Sequence, residues 1–282
     1  SGESQRHGDL QCNWPYGQLF GSVMDTVDVA VAAARAAGEV IRDARTAVRQ
    51  VRHKGAIDLV TQVDVAAEAA IVDVITKHTP DIPILAEEGG GARDQSTRWI
   101  VDPLDGTTNF VHGYPSYAVS IALQVGGVLQ VGCIFDAVHG DAYTATNGGG
   151  AWLGSQRLTV SSTDRLADAL LVTGFPYDRR ERVDWYLSFM REFLIRGRGV
   201  RRAGAAAMDF VALASGAVDA YWEFGLSPWD VAAGILLVQE AGGTVTDMDG
   251  GPIDVARPRL LATNEELHTE MLEALSILLQ AK

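Results

Sequence analysis

An α+β first half joined to an α/β second half is the architecture that this 282-residue sequence predicts. Three observations carry the prediction. A helical apolar period begins at Met24, and an antiparallel strand series turns at Gly126-Gly127. After the glycine run at 148–150, short apolar strands alternate with helical stretches.

In order along the chain, residues 1–23 lack clean periodicity and read as a partly ordered N-terminal arm. Val27, Val31, Ala34, Gly38 and Ile41 recur at steps of three or four and define a first helix. A turn at His53-Lys54-Gly55 leads through Leu59-Val60-Thr61 to a second helix, expected from Val63 or Asp64 to His78 and stopped by Pro80. Ile82 to Ala86 reads as a buried strand delivering Glu87 and Glu88, Gly89-Gly90-Gly91 as a loop, and Trp99-Ile100-Val101 as a strand ending at Asp102. Strands from Tyr117 to Val125 and Val128 to Phe135 flank Gly126-Gly127, a dipeptide suited to a two-residue hairpin because glycine tolerates positive φ. Ala142 to Ala145 extends the series, which the triple glycine is expected to end. Strands are then expected at Leu170–Thr173, Val218–Tyr221, Gly243–Thr246 and Leu260–Thr263, with helices near 182–195, 205–215 and 230–241. A last helix after Thr263 has Glu266 at capping-box spacing and an apolar stripe at Leu267, Met271, Leu275 and Leu278. The organisation is therefore an arm over 1–23, an α+β region over 24–155 and an α/β region over 156–282.

Composition narrows the function. Acidic residues outnumber Lys plus Arg by 36 to 23, a net charge of −13, which argues against a broad nucleic-acid or anionic-membrane surface. Two cysteines, Cys12 and Cys133, supply neither a disulfide framework nor a cysteine zinc site. No apolar run has the roughly 18 residues of a membrane span, and the start lacks a signal-peptide core. A cytoplasmic protein is the expectation, with an organelle left open.

The informative segment is Trp99 to Phe110, in which Asp102 and Asp105 close a buried strand just before Gly106-Thr107-Thr108. Two carboxylates there repel each other, and no lysine or arginine stands within the segment from Trp99 to Phe110, so a hard divalent cation held by oxygens is the natural counterion. The residues after Asp105 open a helix whose free amides and hydroxyls suit a phosphate. Helix capping is the alternative for Asp105, for Asp64 in Asp58-Leu-Val-Thr-Gln-Val-Asp64, and for Asp230 in Pro228-Trp229-Asp230. Residue pattern alone does not bring positions 64, 87, 102, 105 and 230 together.

The chain resembles the inositol monophosphatase family, in its bacterial-type branch. The likeness rests on Asp-Pro-Leu-Asp-Gly-Thr-Thr-Asn-Phe at 102–110 and on Trp-Asp-Val-Ala-Ala-Gly at 229–234, followed by Glu240-Ala-Gly-Gly243. Asp58 to Asp64 and Ala86-Glu87-Glu88 match in order and spacing, and the likeness runs from about Met24 to Leu279. It implies a layered αβαβα sandwich of the inositol monophosphatase and fructose-1,6-bisphosphatase type, a homodimer, and a Mg²⁺-dependent, lithium-sensitive phosphatase with two to three ions per site. By position, Glu87, Asp102, the Leu104 carbonyl and Asp105 would hold one ion; Asp102, Asp105 and Asp230 a second; Asp64 with Glu87 a weaker third. Gly106 and Thr107 would donate amides to phosphate, and Glu87, Thr107 and Asp64 would form the catalytic set.

The resemblance also implies substrate contacts at Ala206, Asp209, Glu223 and Asp230. Ala205 stands where the family often has a hydroxyl residue, which removes one polar contact. A carboxylate at Glu223 favours a polyol over a second phosphate by simple repulsion. The implied substrate is a small phosphorylated polyol, inositol monophosphate first. Histidinol phosphate, fructose 1,6-bisphosphate and 3′-phosphoadenosine phosphates are the alternatives, with Arg201 and Arg202 as the cations a second phosphate would need. A regulatory binding protein without turnover is the alternative of a different class. Lys54 is a candidate cation near the site.

Overall fold

The computed structural model describes residues 24–51 and 56–280; the expectations placed on the arm, on Cys12 and on the turn containing Lys54 lie outside these residues. Helices α1 (Thr26–Val51) and α2 (Ala56–His78) open the chain. An eight-stranded sheet follows, made of β1 (Ile84–Ala86), β2 (Gly90–Gly91), β3 (Arg98–Asp105), β4 (Ala118–Val125), β5 (Val128–Asp136), β6 (Asp141–Thr146), β7 (Gly150–Leu153) and β8 (Gln156–Arg157), with the short helix α3 (Thr107–His112) between β3 and β4. The second half contains β9 (Leu170–Thr173), α4 (Val183–Arg196), β10 (Gly199–Arg201), α5 (Ala206–Ala214), β11 (Ala220–Glu223), α6 (Pro228–Glu240), β12 (Gly243–Asp247), β13 (Leu260–Asn264) and α7 (His268–Gln280).

The first sheet has the order β2-β1-β3-β4-β5-β6-β7-β8 and is antiparallel except where β1 lies parallel to β3. The second has the order β10-β9-β11-β13-β12, parallel across its first three strands and antiparallel across the rest. Side-chain alternation along each strand assigns the layers. Trp99 and Val101 of β3 pack with Ala30, Ala34 and Ile41 of α1 and Ile71 and Ile75 of α2. Ile100 between them faces the opposite way, joining Phe210 of α5, Leu236 of α6, and Val172, Tyr221 and Leu260 of the second sheet. The outer residues Leu171, Trp222 and Leu261 meet Phe189 and Phe193 of α4 and Met271 and Leu275 of α7. The layers thus run α1/α2, sheet, α5/α6, sheet, α4/α7, the αβαβα sandwich that the resemblance implies.

Several boundaries differ from expectation. Helix α2 begins at Ala56, so Asp64 lies in its interior and is not an N-cap. Strand β3 runs past Asp102 to Asp105, because a register shift between these residues takes Pro103 out of the ladder, where its missing N–H would be a defect. Gly90-Gly91 is a short strand paired with β1 rather than a loop. Gly150, at φ 86°, turns the chain into β7 instead of ending the sheet. A 3₁₀ turn, Glu265–Leu267, leads into α7, and its cap is Asn264, whose side chain accepts from Leu267 N at 3.1 Å, and not Thr263. The strand expected at Val218–Tyr221 starts at Ala220 and extends to Glu223, and β10 was not foreseen. The Gly126-Gly127 hairpin forms as expected, with φ 57° and 87°.

Candidate active site

The strand end at β3, the first turn of α6 and the start of α5 meet at one point. Asp102, Asp105 and Asp230 each present a carboxylate oxygen there, all within 4.8 Å of one another. Asp102 is 1% exposed, and its Oδ1 is held by the Leu104 amide at 3.0 Å. Asp105 Oδ2 accepts from the Ala207 amide at 2.8 Å, and the Ala206 amide also points at its carboxylate, so the N-terminus of α5 supports the charge. Ala206 therefore meets the site through its backbone. Asp230 is the third residue of α6, after Ser227 at the cap and Pro228 at the first position; its Oδ2 accepts from Ser227 N at 2.6 Å. Asp230 both caps its helix and joins the cluster, so the two readings of this residue hold together. Trp229 is fixed by its carbonyl, which accepts from Ser120 Oγ at 3.0 Å.

Glu87 follows β1. The residue as a whole is exposed, but its carboxyl lies near enough to Asp230, Asp102 and Asp64 to be acted on by all three. Glu88 is exposed, and its amide donates to Glu68 Oε2 at 2.9 Å, which separates the roles of the two neighbouring glutamates. Asp64 is 7% exposed on α2, on the Glu87–Glu88 side, with its Oδ1 buried and without a hydrogen-bond partner.

Burial raises every one of these acids. Loss of hydration followed by Asp230 lifts Asp105 to about 8 and Glu87 to about 7. Burial followed by Glu88 lifts Asp64 to about 7, and burial lifts Asp230 to about 6. Asp102 is raised well above the usual carboxylate range by burial, then by Glu87, Asp105 and Asp230. Among the described residues, no salt bridge reaches any of the five. All-oxygen donors, unbalanced charge and the orphaned Asp64 oxygen fit a hard divalent cation.

Beside the cluster, Gly106 adopts φ 84°, the left-handed conformation that ends β3 and starts α3. A Cβ at Gly106 would lie 2.9 Å from Ser116 O and 3.0 Å from the Ala205 methyl. Thr107 Oγ1 donates to the Leu104 carbonyl at 3.0 Å, which leaves the hydroxyl's lone pairs as acceptors. The same carbonyl was expected to face a metal, and one of its lone pairs is taken here by Thr107.

Asp209 and Glu223 lie on the α5 and β11 side of the cluster. Asp209 is 3% exposed, its Oδ2 has no partner, and burial followed by Glu223 raises it strongly. Glu223 is buried inside the second sheet, not on its edge; Tyr221 Oη donates to its Oε2 at 2.6 Å. Burial lifts Glu223 to about 7 despite that hydrogen bond. Arg202 offsets both acids, whereas Arg201 is exposed and donates to Val200 O. Sequence reasoning missed Tyr221, although its spacing of two from Glu223 puts both on one strand face. It also missed Asn109, whose Nδ2 donates to Ser116 O at 2.7 Å and Ala203 O at 2.9 Å, tying α3 to the second half.

These features define a layered α/β protein with an acidic cluster capable of coordinating a metal ion beside the Gly106-Thr107 turn. The model of the inositol monophosphatase family matches residues 23–280, and the chain belongs to that family. It is 44% identical over 254 residues to Nus factor SuhB of Pseudomonas aeruginosa, covering 87% of this chain and 94% of that protein. It is 42% identical over 259 residues to the inositol-1-monophosphatase of Synechocystis, covering 89% and 88%. The solved inositol monophosphatase of Anabaena superimposes with a TM-score of 0.81 at 43% identity, over 89% of this chain and 95% of that one.

Proposed function

We propose that this chain hydrolyses a small phosphate monoester, inositol monophosphate foremost, with Mg²⁺ at the carboxylate centre and water as nucleophile. The observation that carries this reading is the meeting of Asp102, Asp105 and Asp230 beside the Gly106-Thr107 turn. The three aspartates and Glu87 would hold Mg²⁺, which supplies positive charge to polarise the phosphoryl group and acidify water. Gly106 and Thr107 offer backbone amides at the start of α3 to the phosphate oxygens. Because the Thr107 proton is committed to Leu104 O, Thr107 Oγ1 accepts from the attacking water and orients it. Glu87, turned inward at the end of β1, takes that water's proton as the P–O bond forms. The ester P–O bond breaks, and the departing alkoxide takes up a proton from solvent water, releasing alcohol and phosphate, while Glu87 returns its proton to solvent.

Glu223 and Asp209 supply acceptor oxygens for the hydroxyls of a polyol. Where ionised, they repel a second phosphate, while Arg202 tempers the attraction for an ammonium group. A regulatory role is the second reading, supported by the name Nus factor SuhB carried by the Pseudomonas relative.

Phosphate release from inositol 1-phosphate, histidinol phosphate, fructose 1,6-bisphosphate and 3′-phosphoadenosine 5′-phosphate, with and without Mg²⁺, tests both. Mg²⁺-dependent turnover, highest kcat/KM on inositol 1-phosphate and loss in Asp102→Asn are expected. A folded, Mg²⁺-binding protein that turns over none of the four would refute the phosphatase reading and leave the regulatory one.

A further inference from the structure

On the far side of Tyr117 from the Gly106 turn, α1 and the β5–β6 connection enclose a cavity of about 280 Å³. Three arginines of α1, Arg35, Arg42 and Arg45, line it, opposite Phe135 and His139. The helix approaches β5 closely because residue 38 is glycine; a Cβ there would collide with the Phe135 ring. In a chain of net charge −13, three guanidinium groups in one concavity are not an average surface.

Among the described residues, the acceptors available to them are few. Arg35 lies over the Phe135 ring at 5.7 Å and Arg45 over Tyr117 at 5.9 Å, contacts that orient the guanidinium planes without accepting their in-plane N–H groups. The Arg45 Nε is buried and has no hydrogen-bond partner. Arg42 has Asp43 at 3.6 Å, a pair exposed at both ends. Among the described residues, Glu39 is the single carboxylate in the lining. Asp136 beneath is engaged by His139 Nδ1 at 2.6 Å and by the Val138 and His139 amides. Asp141 acts on His139 from the start of β6.

We propose that this cavity is a second anion site, taking a phosphate group, free or as a small monoester, through the forked donors of Arg35, Arg42 and Arg45. Its size, just under the usual range of small-ligand pockets, admits a phosphate together with a small organic group. Tyr117 connects it to the candidate active site: the ring that Arg45 covers packs edge-on against Phe110 of α3 at 5.4 Å.

The site is tested by calorimetric titration of the full chain in EDTA, which removes divalent ions from the carboxylate centre. Inorganic phosphate and glycerol 3-phosphate serve as probes, against wild type, an Arg35→Gln/Arg42→Gln variant and Asp102→Asn. The expectation is one phosphate per chain in wild type and in Asp102→Asn, with binding at least tenfold weaker in the arginine variant. Both replaced side chains are exposed, so the variant's thermal midpoint should stay within a degree or two of wild type, as a folding control. Tighter binding of glycerol 3-phosphate would mark a monoester as the ligand, and equal binding the phosphate group alone. No binding in EDTA, or binding that Asp102→Asn abolishes and the arginine variant retains, would overturn the proposal. Should the arginine variant fail the folding control, Arg35→Lys alone is measured, and unchanged affinity there would equally overturn it, since lysine cannot reproduce the stacked fork.

Discussion

Replacing Glu223 by glutamine should make the cation-free protein more stable at alkaline pH and leave it unchanged at acid pH. Glu223 is 9% exposed, and burial lifts its carboxyl from the ordinary 4.5 to about 7 even though Tyr221 donates to it. The folded chain therefore holds this proton more tightly than the unfolded chain does. The stability this provides is fully present below pH 4.5 and is lost as the pH rises through 7. The gap corresponds to roughly 3 kcal/mol at full ionisation, an upper bound that water entering the pocket would reduce to about 1–3 kcal/mol. Glutamine mimics the protonated acid and keeps an acceptor for the Tyr221 hydroxyl. At about 2 °C per kcal/mol for a chain of this size, Glu223→Gln should melt roughly 2–6 °C above wild type at pH 8.5. At pH 4.5 the two should melt together. Differential scanning calorimetry in EDTA at both pH values decides the matter. An equal difference at the two pH values, or none at pH 8.5, would show that Glu223 is not held as a reluctant buried charge. In the same variant, kcat/KM for inositol 1-phosphate should fall, because a charged acceptor for the polyol is gone.

Three further outcomes follow from the site and its supports. Mg²⁺ must displace protons from acids lifted to about 8 at Asp105, about 7 at Glu87 and about 6 at Asp230, so its apparent affinity should rise at least tenfold from pH 6 to pH 8. Titration calorimetry in buffers of different ionisation enthalpy would register the released protons, and a flat profile would contradict the cluster. Gly106→Ala forces a side chain onto φ 84° and against Ser116 O, costing about 1–3 kcal/mol and lowering kcat more than KM. Asn264→Ala removes the cap of the last helical segment together with bonds to Ser161 Oγ and Thr163 O; it should cost about 2–4 kcal/mol in urea unfolding while kcat/KM at 25 °C stays unchanged.

Local signals carried the reading of the sequence furthest where one interaction decides the outcome. The alternation of Trp99, Ile100 and Val101, the paired positive-φ glycines at 126–127 and the apolar period of α1 each act within a few residues, and each appears as expected. Asp102 and Asp105 stood out because an apolar strand has no reason to end in two acids. Asp64 was legible as a chemical group but not as a position, since the β-branched Ile57, Val60, Thr61 and Val63 weaken the helical signal of residues 56–63 and the helix is held by packing further along. Glu223 could not be assigned to an edge or an interior strand, because strand order depends on contacts between β9, β11 and β13 that lie far apart in the chain. For the same reason, no local pattern joins Asp230 to Asp102; the family resemblance supplied that step.

Helix α6 carries Asp230 on its first turn and is itself gripped between the two sheets, with Ile134 of β5 and Leu260 of β13 in the same core. During synthesis, the ribosome delivers Asp64, Glu87, Asp102 and Asp105 long before this helix exists. At that stage Ile100, Ala118 and Ile134 form a bare apolar face, and the acids lack both their third partner and the α5 amides that steady Asp105. Cation capture would consequently follow completion of the chain, unlike in small metallodomains whose ion directs their folding. A truncated product would carry most of the acidic ligands yet gain little from magnesium. The ion would act as a final latch on finished molecules.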